Sequence, residues 1–417
     1  MNLRILVLGC GDVGSAVAHR LFMHGADVVI SDVPAPAHPR RGMAFTDAWF
    51  DGTATLEGVV ALWIADTKQF QSHWGSVDAI AATDEAPDSI AGALRLDAIV
   101  DARMRKRSVP DDLRALAPAA IGLGPGFTPG SNCTVAIETA WGEPLGAVLR
   151  DTPSQALSGE PRPLGGAGRE RFVYSAEAGP WLTSAHIGDL VAEGAPIGKL
   201  SGHPFCAPIA GTLRGLTRDG VNVAARQKLV EIDPRAQPDA HGLGLRPIAI
   251  ARGVARALGL PTGLQKAFFD FEAEFRESLD CIPMSMRVKL DCCGLKLSLE
   301  QWRSLPRPLR EVLLETPVET PRQATHLARL LSQRGQRLGW PELPQLQAED
   351  ILTDDPHVVP HAISMRCTAE AWPGMQIEQW AALTPLQRYV LRKLAGQRSS
   401  RNWQPALVEF GVHGQRG

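Results

Sequence analysis

Leu3, Ile5, Leu6, Val7 and Leu8 form a nearly unbroken apolar run at the start of the chain, the pattern of a short strand buried on both faces. The period then changes. Val13, Ala16, Val17, Leu21 and Phe22 fall on one face of a helix, and a second apolar run over 27–31 returns to strand spacing. Further buried strands are predicted over 77–82, 98–101 and 120–123, with a short helix over 88–94. A helix capped by Ser131 or Asn132 is predicted to run to about Trp141. Strands alternating with helices in this way argue for a doubly wound α/β domain over 1–150 with a parallel sheet.

The pattern over 151–240 is different, rich in Gly and Pro with short alternating runs. Two half-motifs recur, Gly188-Asp189-Leu190-Val191-Ala192-Glu193-Gly194 and Asp219-Gly220-Val221-Asn222-Val223, with Ala207-Pro208-Ile209-Ala210-Gly211 between them. They predict a small all-β sandwich barrel of the biotinyl/lipoyl-like kind, built from two similar halves. Its hairpin tip reads Ser201-Gly202-His203-Pro204-Phe205-Cys206. The tip lacks the lysine that a carrier domain modifies, so the expectation is the fold without the carrier function. Residues 241–265 read as one helix over 246–258 and a linker broken at Pro261-Thr262-Gly263, which places the main boundary near Gly263. From 266 to 417 the chain is mostly helical, with amphipathic stretches at 309–315, 323–333 and 377–394.

Candidate chemistry begins where the first strand meets the first helix. Gly9-Cys10-Gly11-Asp12-Val13-Gly14 is a GxGxxG turn. Its glycines allow a tight bend, close approach of backbone to a pyrophosphate, and packing of helix on sheet. This makes the first domain Rossmann-like, with phosphate expected on the helix start at Asp12. Asp32 lies eighteen residues past Gly14, where a carboxylate takes ribose hydroxyls, and Arg40 and Arg41 would suit a 2′-phosphate. A second glycine loop, with Gly122, Gly124 and Gly126, precedes the predicted helix and offers a second anion cradle or simply a rigid turn. Arg103, Arg105, Lys106 and Arg107 follow a strand end and would face anionic ligand groups or solvent. The candidate cofactor is NAD(P) or another nucleotide.

Composition narrows the classes. The 417 residues suffice for two or three domains, and a net charge of −2 gives no basic footprint for nucleic acid. No apolar stretch has the length of a membrane span. Val7-Leu8-Gly9-Cys10 has a faint lipoprotein look, but the apolar run before it is too short for a signal core. Seven cysteines, an odd number, fit reduced thiols in the cytoplasm. Cys133 would sit in the first turn of the predicted helix, where backbone dipoles favour thiolate, although a small buried side chain is the commoner outcome. Cys281, Cys292 and Cys293 match no zinc spacing, so no metal site is expected. Tyr389 and Lys393 spell YxxxK in the wrong domain and read as chance. No GxSxG, HExxH, Walker-A or paired-cysteine signature is present, which leaves any catalytic residues open.

Two resemblances add to this. Residues 1–260 resemble the accessory family of the selenium-dependent molybdenum hydroxylase system (YqeB-like proteins). The likeness rests on Gly9-Cys10-Gly11-Asp12, Arg40-Arg41-Gly42-Met43-Ala44-Phe45, Asp101-Ala102-Arg103 with Lys106, and Ile121-Gly122-Leu123-Gly124-Pro125-Gly126-Phe127-Thr128. Gly188-Asp189-Leu190-Val191 and Ile232-Asp233-Pro234-Arg235 extend it. Residues 268–411 resemble the nitrate-reductase-associated family (NarM-like) through Phe269-Asp270-Phe271-Glu272, Cys281-Ile282-Pro283-Met284 and Gly294-Leu295-Lys296-Leu297. Trp302 and Leu383-Thr384-Pro385-Leu386-Gln387-Arg388-Tyr389 complete that match. Together they imply a cytoplasmic accessory protein for maturation or assembly of a molybdenum enzyme, nitrate reductase first, that binds a nucleotide or the pyrophosphate part of a molybdenum cofactor. Its partner would be the reductase or another molybdenum-enzyme apoprotein. The alternatives are an NAD(P)-dependent oxidoreductase and a non-catalytic scaffold.

Overall fold

The computed structural model describes residues 3–66, 69, 77–105, 108–156, 160–262, 264–346, 355–397 and 401–412. The chain divides into two compact units, 1–262 and 263–417. The first is mixed α/β and the second mostly helical.

A nine-stranded sheet organises the first unit in the order β3-β4-β5-β2-β1-β6-β7-β8-β9. Its strands are β1 (Arg4–Leu8), β2 (Asp27–Ser31), β3 (Thr53–Leu56), β4 (Val59–Trp63), β5 (Ile80–Thr83), β6 (Ala98–Asp101), β7 (Ala119–Leu123), β8 (Val135–Ile137) and β9 (Val148–Leu149). From β4 across to β8 every neighbouring pair is parallel, while β3 and β9 close the two edges antiparallel. Ile5, Leu6 and Val7 of the central strand are wholly buried, as a strand covered on both faces requires. The β3–β4 hairpin turns at Glu57 and Gly58, both in the left-handed region (φ 45° and 80°), the geometry that matches the twist of its strands. Helix α1 (Asp12–Met23) carries the chain from β1 to β2, and α2 (Ala48–Asp51) and α3 (Pro87–Ala93) follow. Helix α4 (Leu245–Ala257) returns from far along the sequence to pack on α1 and beside β7–β9.

The helix expected over 131–141 is absent. Asn132 does not cap a helix; its Oδ1 accepts the Thr128 N–H at 2.9 Å and its Nδ2 donates to Gly126 O at 2.9 Å. The loop is thereby closed on itself, and the chain leaves it as β8, where Thr134, Val135 and Ile137 supply the β-branched side chains a strand prefers.

Residues 172–233, where a sandwich barrel of the biotinyl/lipoyl-like kind is expected, form two antiparallel four-stranded sheets that do not close into a barrel. One has the order β10 (Phe172–Tyr174), β17 (Lys228–Asp233), β15 (Gly211–Leu216), β12 (Leu190–Val191). The other has the order β14 (His203–Cys206), β13 (Pro196–Leu200), β11 (Gly179–Leu182), β16 (Asn222–Val223). Among the described residues no strand of one sheet pairs with a strand of the other. They share a core through Trp181, Ile197, Leu200, Leu213, Leu229 and Ile232. The two recurring half-motifs supply β12 and β16, one edge strand in each sheet. The hairpin tip is a Ser201-Gly202 turn with both residues at positive φ.

The second unit contains α5 (Met284–Cys292), α6 (Leu299–Ser304), α7 (Arg307–Glu315), α8 (Pro321–Arg337), α9 (His361–Ala369), α10 (Ile377–Ala382), α11 (Pro385–Ala395) and α12 (Trp403–Glu409). One core gathers Ile363, Trp380, Val390, Leu391, Trp403 and Leu407. The stretch read as one helix over 377–394 is two. Thr384 caps α11 in a reciprocal box with Gln387, and Pro385 has no N–H to continue a preceding helix. Among the described residues no helix is long and apolar enough to cross a membrane.

Candidate functional site

The chain moves from β1 through α1 to β2 on one side, and β6–β8 lie on the other. The strand order therefore reverses between β1 and β6, and at such a reversal a crevice opens beyond the strands' C-terminal ends. Gly9 makes the first turn there with φ 101°, and a Cβ on it would lie 3.1 Å from Arg103 Cα, so the turns after β1 and β6 touch. A Cβ on Gly14 would overlap the carbonyl oxygen of Gly9, which gives the third glycine of the motif its packing role. The Ser15 N–H is the first to enter α1, donating to Gly11 O at 2.9 Å. The preceding turn leaves the free donors of a helix start.

The polar residues around this turn are tightly engaged. Asp32 accepts the Cys10 N–H at 2.7 Å, the Val33 N–H at 2.8 Å and His38 Nε2 at 2.8 Å. His38 itself stands over Gly11, whose Cβ position would be 3.2 Å from Nδ1. Burial disfavours the Asp32 carboxylate, but His38 and the two N–H donors outweigh it and hold its pKa below the ordinary range. Cys10 lies wholly buried with its thiol 3.6 Å from Thr46 Oγ1. Burial, reinforced by Asp32, pushes that thiol's pKa well up.

Arg40 bridges Asp12 at 2.7 Å and Glu231 at 2.8 Å. Glu231, on β17, is fully buried and also receives Arg171 at 2.6 Å, Arg214 at 2.8 Å and Lys228 at 3.6 Å. Burial alone would raise its pKa; Arg40, Lys228 and Arg214 reverse this and hold it far below the usual range. Arg41 turns away to Asp47 at 2.7 Å and to Leu216 O at 2.9 Å. Arg103 Nε donates to Asp101 at 2.9 Å, and Arg105 reaches Asp111 at 2.8 Å. Lys106 and Arg107 lie outside the described residues.

The second glycine loop follows β7, two strands from β1 on the same rim of the sheet. It is closely packed. The Phe127 ring occupies the space over Gly122, Met104 Sδ would be 3.3 Å from a Cβ on Gly124, and Pro110 Cδ 3.0 Å from one on Gly126. Cys133 has no helix start beneath it, and burial pushes its thiol up to about 11. Tyr389 and Lys393 both contact Asp291, at 2.9 Å and 2.8 Å, so that pair closes a helix contact in the second unit.

Arg246 is one of four residues here that sequence reasoning missed. It lies in the first turn of α4, where the helix dipole repels a cation and no acidic residue compensates. Its Nε donates to Thr139 O at 2.9 Å, and among the described residues it forms no ion pair. Burial lowers its pKa; Asp12 raises it, and Arg40 lowers it again. Arg171, Arg214 and Glu231 were equally unmarked, because their meeting depends on how the small sheets pack against the loop after β2. The one available signal for Arg246 was a cation opening a helix, two residues after Gly244.

Comparison with known proteins bears on both units. No solved structure matches the chain. Its N-terminal region is 34% identical over 256 residues, 61% of the chain, to the uncharacterized protein YqeB of Escherichia coli strain K12. The match covers 47% of that relative, so the chain spans about half its length. Residues 268–410 match the family of conserved nitrate reductase-associated proteins.

Proposed function

We propose that this protein is an accessory factor for the maturation or assembly of a molybdenum enzyme, with nitrate reductase as the partner. The second unit would contact the reductase apoprotein, a reading that rests on its family match. The first would hold a nucleotide, or the pyrophosphate end of a molybdenum cofactor, in a Rossmann-like crevice. The paired small sheets would be a lipoyl-like element without a carrier lysine. Seven unpaired cysteines support a cytoplasmic setting.

The observation that carries the anion reading is Arg246. It is half-buried, opens a helix that has no acidic residue in its first turn, and donates to a backbone oxygen. Burial lowers its pKa, while Asp12 raises it and Arg40 lowers it. An anion on the free N–H groups at the start of α1 would relieve that repulsion and neutralise an unpaired cation. Calorimetric titration of the full chain with NAD⁺, NADP⁺ and inorganic pyrophosphate tests this. We expect saturable binding of at least one, weakened about tenfold in Arg246→Ala, a loss of roughly 1.4 kcal/mol. Failure of all three to bind, together with no reductase in co-purification from nitrate-grown cells, would remove the proposal. A second reading, a scaffold without a small ligand, is favoured by the internal pairing of Arg40, Arg41 and Arg103. Co-purification of the reductase without ligand binding selects it. Oxidation of NADPH by a small carbonyl compound would instead select an oxidoreductase.

A further inference from the structure

We propose that Cys10, Asp32 and His38 form a site for a divalent metal ion of the zinc type, with three protein ligands and an open fourth position at the crevice. The thiol sulfur, a carboxylate oxygen and an imidazole nitrogen of these residues all lie within 4.8 Å of one another. They come from three separate segments: the turn after β1, the first residue past β2, and the proline-rich loop beyond it. Zinc bonds to sulfur, nitrogen and oxygen are about 2.0–2.3 Å, so tetrahedral ligand atoms sit roughly 3.5 Å apart. To enclose an ion, atoms at the far end of that range would close by about 1.3 Å and the 2.8 Å His38–Asp32 hydrogen bond would open.

Donor chemistry selects the class of metal. A mixed sulfur, nitrogen and oxygen set suits zinc and its neighbours in the first transition row, whereas magnesium and calcium take oxygen alone. Three protein ligands with a vacant position distinguish metal sites that act on a bound group from closed structural ones. The ligands are also held from behind. Two backbone N–H groups orient Asp32, and the Thr46 hydroxyl donates to Cys10 O at 2.9 Å while lying 3.6 Å from the thiol. Supports of this kind fix ligand direction in metal sites. The His38 side chain is 34% exposed and Asp32 10%, so access is from the His38 side, above Gly11. On binding, the metal displaces the thiol proton of Cys10 and the proton His38 shares with Asp32. The site uses neither Arg246 nor the free donors of α1, so it stands or falls separately from the anion reading.

The test is metal titration of the full chain after dialysis against a chelator. Cobalt(II) is the probe, because thiolate ligation gives a near-ultraviolet charge-transfer band and a tetrahedral site gives strong visible bands. We expect one equivalent bound, both signatures present, and displacement of cobalt by zinc. Cys10→Ser should lose the charge-transfer band. His38→Gln, at a part-exposed position where folding is little affected, should weaken binding by at least about tenfold. A variant with Cys206, Cys281, Cys292 and Cys293 all changed to Ser should keep the full signal. Circular dichroism checks that each variant is folded. Absence of stoichiometric binding, an unchanged spectrum in Cys10→Ser, unchanged affinity in His38→Gln, or loss of the signal in the four-cysteine variant would each overturn the site.

Discussion

Gly14 and Glu231 are the two residues whose replacement the structure prices most directly. A side chain at Gly14 overlaps the Gly9 carbonyl, and backbone there cannot retreat without moving α1 off the sheet. Gly14→Ala should therefore destabilise the first unit by about 1–3 kcal/mol, read as a lower urea midpoint with the helical signal of the second unit unchanged. Glu231 is the shared counter-charge of Arg40, Arg171 and Arg214. With Lys228 at 3.6 Å as the fourth partner, Glu231→Gln leaves four cations around a neutral amide and should cost about 3–5 kcal/mol. Its pH signature has a definite sign. The carboxyl's pKa is depressed in the folded chain, so its stabilisation is complete above the unfolded value of about 4.3. That stabilisation drains away as pH falls through the lower folded value. Thermal melts of wild type between neutral pH and pH 3 should show this loss, and Glu231→Gln should show less of it.

At the scale of elements, local signals were legible and long-range ones were not. The β1–α1–β2 unit could be read because its period changes, its glycines and its apolar runs all lie within thirty residues. The predicted helix after the second glycine loop failed because Asn132 had two uses, cap or loop clasp, and only the fold decides between them. Asn132→Ala removes two loop hydrogen bonds and should cost about 1–3 kcal/mol. It should also raise hydrogen exchange around 126–132. A helix in this place would be indifferent to the loss, since its cap would be served by Ser131. The break between α10 and α11 was written in Thr384-Pro385-Leu386-Gln387 but was masked by amphipathic spacing that runs through it. Of the candidate site, the glycine turn and Asp32 were visible in sequence. The partners that engage them were not: His38 sits in a loop without periodicity, and Glu231 is almost two hundred residues away from Arg40.

Across the whole molecule, the second unit has its own core, with Trp380 and Trp403 fully buried within it. Residues 263–417 produced alone should give a helical spectrum and a cooperative thermal transition. A non-cooperative melt would show that this core is insufficient by itself. The family match lies within this unit, so the same fragment is the reagent for asking whether reductase capture needs the α/β unit at all.

The segment from 37 to 41 joins two bodies of structure that the chain visits far apart. Gln227 Nε2 donates to Ala37 O at 3.1 Å, the Leu216 N–H to Pro39 O at 2.7 Å, and Arg41 Nε to Leu216 O at 2.9 Å. Stitched to β15 and to Gln227 on one side, the same five residues bring His38 and Arg40 to the glycine turn after β1 on the other. Shortening the protein to its first 150 residues would therefore cut the guy-lines of that strap. The glycine turn would survive in such a piece, but the imidazole and the guanidinium that furnish it would swing loose.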